Sequence, residues 1–205
     1  MRKTGAIISI ALWTCAAMFA ADAPTLDGVA AQIAQLKTYE PGQSQVLIND
    51  LQRTTVELAK DHAGRARVAE ALATLLQDEK ATLAARHFAC RQLQSVGTET
   101  QIPLLVGLLT HAELGDLARG ALECIPGETA LKALRDAVGT LKGAARIGAV
   151  NSLGIRRDAA AVKLIEALLS DNDAPTTTAS WTALSRIATP EAAEALLKVK
   201  ATPPA

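Results

Sequence analysis

After residue 25 the apolar residues of this chain recur at helical spacing almost without a break. No stretch alternates apolar and polar residues at period two for long enough to make a strand. The punctuation agrees with helices. Pro41, Pro103, Pro126, Pro175 and Pro190 fall between apolar-periodic segments or in the first turn of one, where the missing N–H costs nothing. Gly64, Gly97, Gly115, Gly127 and Gly143 mark further breaks. The segments so bounded are about three turns long, an ordinary helix length. The pattern predicts an all-α protein.

The pattern also repeats. Laid over itself at Leu93, Ile125, Leu153 and Leu184, the chain matches at separations of 32, 28 and 31 residues. After Leu93, apolar residues fall at Ile102, Leu105 and Leu109; after Leu153 they fall at the same offsets, at Val162, Ile165 and Leu169. Ala193 and Leu196 occupy the first two of those offsets after Leu184. After Ile125 the pattern returns three residues early, at Leu131, Leu134 and Val138. A small residue precedes each anchor by four positions: Ala89, Ala121, Ala149 and Ser180. Each unit reads as helix, tight turn, helix. One such pair has apolar stripes on two sides and cannot bury both alone, so stacked pairs are expected to share a continuous core.

The segment from Ala183 through Ala188-Thr189-Pro190-Glu191 to Leu196 resembles the short bacterial HEAT repeat, the phycobilisome-lyase-type HEAT-like repeat. That unit runs Ala-Leu-Gly-x-Ile-Gly, then Asp-Pro-Glu-Ala, then a Leu-rich helix. Ser152-Leu153-Gly154 through Ala161-Val162 is similar, as is Asp116-Leu117-Ala118-Arg119, the Asp-x-x-Arg that opens a unit. The likeness covers residues 82–199 and is degenerate over 43–80. It departs from the pattern at 126–143, which lacks the Asp-Pro turn, and at Gly143, where the opening Asp before Arg146 is missing. The resemblance implies a right-handed α–α superhelix, a HEAT-like solenoid of about five helix pairs. Residues 25–80 are expected to hold N-terminal capping helices, over 25–38 and 43–62, and a degenerate repeat. Their exposed faces carry Gln, Asn, Asp, Lys and Thr, as a terminal unit with one solvated face requires. Residues 81–199 are expected to be the repeats proper, and 200–205 a disordered tail.

The first residues form a different pattern. Arg2 and Lys3 precede an uncharged run from Thr4 to Ala21, small residues crowd Ala16 to Ala21, and Asp22 is the first acid. A basic start, a short apolar stretch and small residues at its end describe a secretory signal peptide over residues 1–20, cleaved after Ala20 or Ala21. The run is near the lower limit for a membrane span, so an uncleaved anchor is an alternative. Leu12-Trp13-Thr14-Cys15 is a poor lipoprotein box, which makes a lipid anchor the minor alternative. The chain is expected to be exported to the periplasm or cell exterior, with no membrane span in its mature part.

Composition narrows the function. Of the 205 residues 49% are apolar but only 2% aromatic, which suits close helix packing through small side chains. Lysines and arginines number 21 and acidic residues 21; losing Arg2 and Lys3 with the signal leaves a net charge of −2. That balance disfavours nucleic-acid binding. Cys90 and Cys124 are the cysteines left after the signal. Two readings stand: a disulfide, as in many exported proteins, or free thiols buried as small hydrophobes, which is preferred.

Candidate chemistry is sparse. His87 and Cys90 stand three apart on one helix, but neither they nor His62 and His111 fall in a paired metal-ligand motif. No nucleophile elbow and no phosphate loop occurs. Arg86, Arg119 and Arg146 recur at the start of successive first helices; they read as a structural ladder paired with turn acids such as Asp116, or as a row for an acidic ligand. Trp181 reads as a packed indole. No cofactor and no metal is expected. The family resemblance raises a bilin-lyase activity, which export and the shortage of aromatics oppose.

The expectation is therefore a scaffold that binds a protein partner and is not itself an enzyme, with a non-catalytic adaptor or subunit of an enzyme complex as the alternative. In such an array the second helices line one surface, and outward positions carry charge at Lys132, Arg135, Asp136, Lys163 and Glu166. The helix holding Ile102 to Leu109 carries none. With Ile102, Leu105 and Leu109 in the core, Leu104, Val106 and Leu108 are left on the flanks or outside. Either neighbouring helices cover them, or, edged by Arg135, they centre a partner-binding face.

Overall fold

The computed structural model describes residues 26–199. The expected signal over residues 1–20, its cleavage site, Cys15 and the expected tail over 200–205 lie outside the described residues. Eleven α-helices and no strand occur among the described residues. They are α1 (Leu26–Gln35), α2 (Val46–Leu58), α3 (His62–Gln77), α4 (Leu83–Val96), α5 (Ile102–Leu108), α6 (Gly115–Cys124), α7 (Glu128–Thr140), α8 (Gly143–Ile155), α9 (Val162–Ala167), α10 (Ala174–Ile187) and α11 (Pro190–Val199). From α2 onward the first helices α2, α4, α6, α8 and α10 pack each on the next, the second helices α3, α5, α7 and α9 each pack on the first helix that follows, α11 packs on α10, and α1 packs on α2 and α3 at one end. The protein is an all-α helical solenoid. None of the described helices is long and apolar enough to cross a membrane.

Local chemistry sets the helix ends. Asp61, Thr82 and Asp173 each cap a helix, with a side-chain oxygen accepting a backbone N–H of its first turn. The expected helix over 43–62 ends at Leu58 because Asp61 starts a new one: its carboxylate accepts from Gly64 N at 2.8 Å. Short 3₁₀ turns at Glu99–Gln101 and Ala159–Ala161 lead into α5 and α9, the first closed by a Thr98–Gln101 capping box.

The register holds in the middle of the array. Ile102, Leu105, Leu109, Val162, Ile165 and Leu169 are all buried, and the small residues Ala89, Ala121, Ala149 and Ser180 are fully so. In the early-returning unit Leu134 and Val138 are buried and Leu131 is half-buried. At the last unit the expectation is corrected. Ala192 and Ala195 enter the core, while Ala193 is exposed and Leu196 half-buried. The turns differ: a left-handed residue precedes both α9 (Arg157, φ 51°) and α11 (Ala188, φ 55°), but no 3₁₀ turn follows Ala188, and α11 starts at once at Pro190, one residue out of step.

The small residues let first helices approach closely. The tightest place is α8 against α10, where a Cβ added to Gly154 would stand 2.7 Å from Ala183 Cα. Buried Ser180 is satisfied within its own helix, its Oγ donating to Thr176 O at 2.8 Å.

Candidate functional site

The recurrent arginines are committed to the array. Arg86 Nε donates to Leu76 O at 3.1 Å. Arg119 reaches Asp116 at 2.8 Å, Glu123 at 2.9 Å and Ser152 Oγ at 2.6 Å, linking α6 to α8, and lies across Gly148, where an added Cβ would stand 2.8 Å from its Cδ. Arg146 pairs with Asp171 at 2.9 Å. Arg156 continues the same work, donating to the carbonyls of Glu123 and Ile125 at the end of α6. Of the two readings of the arginine row, the ladder is the one the geometry shows. Each of the three gives at least one donor to another element, while Arg146 Nε is buried without a partner among the described residues.

The apolar helix α5 divides its side chains. Leu104 and Leu108 are half-buried against the core, as the covering reading requires, and of the three candidates Val106 alone is exposed, at 39%. Arg135 does not stand as a free edge to this helix. Its guanidinium holds Glu128 on its own helix and the 4%-exposed Asp158 carboxylate, at 2.6 Å, at the entry to α9. Arg135 thus serves as an inter-unit staple on α7, the helix that packs against α5.

Cys90 is fully buried and Cys124 exposed at the end of α6, and both are free thiols. No disulfide joins them, and the expectation of burial fails for Cys124 because it sits on the outward side of the last turn of α6. Burial pushes the Cys90 thiol up to about 11; partial burial and the Glu123 carboxylate raise that of Cys124, against the pull of Arg156 and Arg119. His87 is half-buried beside them in sequence, with its Nε2 buried and unpartnered. No cluster of three metal-ligating side chains occurs among the described residues. Trp181 is half-buried against the core, and its indole N–H also lacks a partner.

Shallow grooves open between neighbouring first helices. One of about 540 Å³ lies between α8 and α10, two of about 370 and 490 Å³ between α6 and α8, and one of about 420 Å³ between α2 and α4. The grooves beside α6 are lined by Arg119 and Asp116, already paired with each other. The α2–α4 groove differs. Gln45, Asn49 and Gln52 face it from one side of α2, and His87, Arg91 and Gln92 from α4. Gln45, Asn49, Gln52, Arg91 and Gln92 make no side-chain hydrogen bond or ion pair among the described residues. The signal for it was present in the sequence: carboxamides at positions 45, 49 and 52 share one helix face. Read alone, that face is simply the solvated side of a cap.

No protein-family profile matches the chain, and no curated protein matches it. Among solved structures it is similar to a crystal structure of an engineered protein from the Northeast Structural Genomics Consortium, at a TM-score of 0.45 and 18% identity, over 84% of this chain and 85% of that one. A likeness at that level carries no functional argument.

Proposed function

We propose that the chain is an exported HEAT-like scaffold that binds a protein partner in the periplasm or cell envelope, and that any chemistry it serves resides on that partner. The observation that carries this reading is the division of labour among polar side chains. Arg119, Arg135 and Arg146 are engaged in holding unit to unit, while the groove between α2 and α4 offers polar groups that have no side-chain partner among the described residues. Such a surface is open to a partner, whose hydrogen bonds would replace those the exposed side chains make to water. The opening Asp-x-x-Arg of the resembling repeat fits the same reading, since here it serves as a staple.

The export half is tested by the mature N-terminus. Mass spectrometry of the protein from its native host should find a chain beginning at Ala21 or Asp22; a cytosolic chain beginning at Met1 would sink it. The binding half is tested by cross-linking and capture from an envelope fraction. Recovery of a defined partner in stoichiometric amount is the expected result, and an enzyme among the captured proteins would select the adaptor form of the same role. A chain that captures nothing above a scrambled-surface control is not a scaffold.

A further inference from the structure

The groove between α2 and α4 is the place on the first-helix face where several polar side chains stand together without partners, and its chemistry is narrow. Asn49, Gln52 and the capping residue Gln45 fall on one side of α2, while Arg91 and Gln92 face them from α4. Each carboxamide carries both a donor and an acceptor, the complement of a peptide group, and none is engaged within the described chain. From Gln45 to Gln52 is roughly 10 Å of helix, the length of about three residues of extended peptide. The lining contains one cation, Arg91, which has no carboxylate partner, and no acid at all. His87 adds a buried Nε2 without a hydrogen-bond partner to the same wall, an unsatisfied group of the kind that calls for a reason.

We propose that the α2–α4 groove binds an extended, carboxylate-bearing segment of a partner protein, with Gln45, Asn49, Gln52 and Gln92 pairing its backbone and Arg91 its acidic side chain or C-terminus. This rests on the scaffold reading and narrows it to one site and one ligand chemistry. A polyanion such as nucleic acid is disfavoured by the single cation. A glycan would want an open aromatic face to stack on, and the groove offers a buried Phe88 and a half-buried Tyr39. An acidic peptide needs neither. Arg91 forks onto a carboxylate in two parallel hydrogen bonds, and the carboxamides fix the direction of the strand.

The test starts from a library of short random peptides displayed on phage and panned against the immobilised chain. Selected sequences are then synthesised with a fluorescent label and titrated by polarisation. Selected peptides should carry Asp or Glu. Arg91→Gln, and separately the pair Asn49→Ala with Gln52→Ala, should weaken them about tenfold or more, with circular-dichroism melts unchanged because Asn49, Gln52 and Arg91 are all exposed. Replacing the peptide's acid by its amide should cost as much in the original chain and little in the Arg91→Gln variant. Peptides without an acid, or affinities that ignore these substitutions, would overturn the proposal. So would tetra-N-acetylchitotetraose binding that the same variants abolish. Envelope partners still captured by the groove variants would overturn this site while leaving the scaffold reading intact; a failure of the unaltered chain to capture any partner strikes the scaffold reading instead.

Discussion

Cys90 and Cys124 stand at similar places in successive first helices, three residues before Leu93 and one residue before Ile125, and that offset of about half a turn gives them opposite environments. Cys90 lies inside, among Ala85, Ala89 and Leu93, where a thiolate would be stranded without water. Cys124 lies on the open side of the last turn of α6. A thiol-reactive probe at pH 8 should therefore label Cys124 in the folded protein, slowly because its thiol is raised, and should reach Cys90 only in denaturant. Equal labelling of both before unfolding, read by peptide mapping, would contradict the burial of Cys90. The sign of the linked pH effect follows. The folded state holds the Cys90 proton more tightly than the unfolded chain, whose thiol titrates near 9.0. The stability this contributes is complete below about pH 9 and is lost as pH rises towards about 11. Chemical denaturation at pH 8 and pH 10.5 should show the fall, and Cys90→Ala should flatten it.

At the scale of elements, glycines distinguish helices that touch from helices that do not. Gly154 in α8 faces the backbone of α10, where an added Cβ would meet Ala183 Cα at 2.7 Å and Ala183 Cβ at 2.9 Å. Neither neighbour is the tip of a flexible side chain, so the helices themselves must move. Gly154→Ala should cost about 1–3 kcal/mol through overpacking. Gly107 in α5 has nothing within 4 Å of the same position. Gly107→Ala should stabilise the protein by about 0.5–1 kcal/mol, because alanine loses less backbone freedom in a helix. Urea titrations of the two variants check the pair of signs. Opposite signs identify the α8–α10 contact as the tight one; a neutral Gly154→Ala would mean that the two helices sit further apart than described.

For the whole molecule the question is what binds one helix pair to the next beyond the apolar core. Arg135 on α7 and Asp158 at the entry to α9 are exposed at 17% and 4%. Asp158 also accepts from Ala160 N at 3.1 Å, so its carboxylate is held at a helix entry as well as across the unit boundary. Removing the guanidinium leaves that carboxylate buried without its counter-charge. Arg135→Ala should therefore cost about 3 kcal/mol or more. Glu128→Ala removes only the outer, 71%-exposed partner of the same arginine and should cost less than about 1 kcal/mol. Thermal or urea unfolding of both variants checks the contrast; equal losses would show that the buried pair is not special.

The helical period, the proline and glycine breaks and the spacing of Leu93, Leu153 and their partners were enough to determine an all-α repeat array and the identity of most of its core. These are local quantities: a helix face is set by residues three and four apart, and a stack of such faces leaves few ways to bury them. The sequence could also place Gln45, Asn49 and Gln52 on one face of a helix. It could not say that α4 brings Arg91 and His87 opposite that face, because the distance between two helices depends on every side chain between them. For the same reason Arg135 read as an open charge until Asp158, 23 residues away, was found beneath it. The slip of one residue in α11 goes with the turn at Ala188, which lacks the 3₁₀ turn that precedes α5 and α9. Periodicity reports which side of a helix is apolar. Only packing decides which helix lies against it, and so which polar groups find partners inside the molecule and which are left to meet something else.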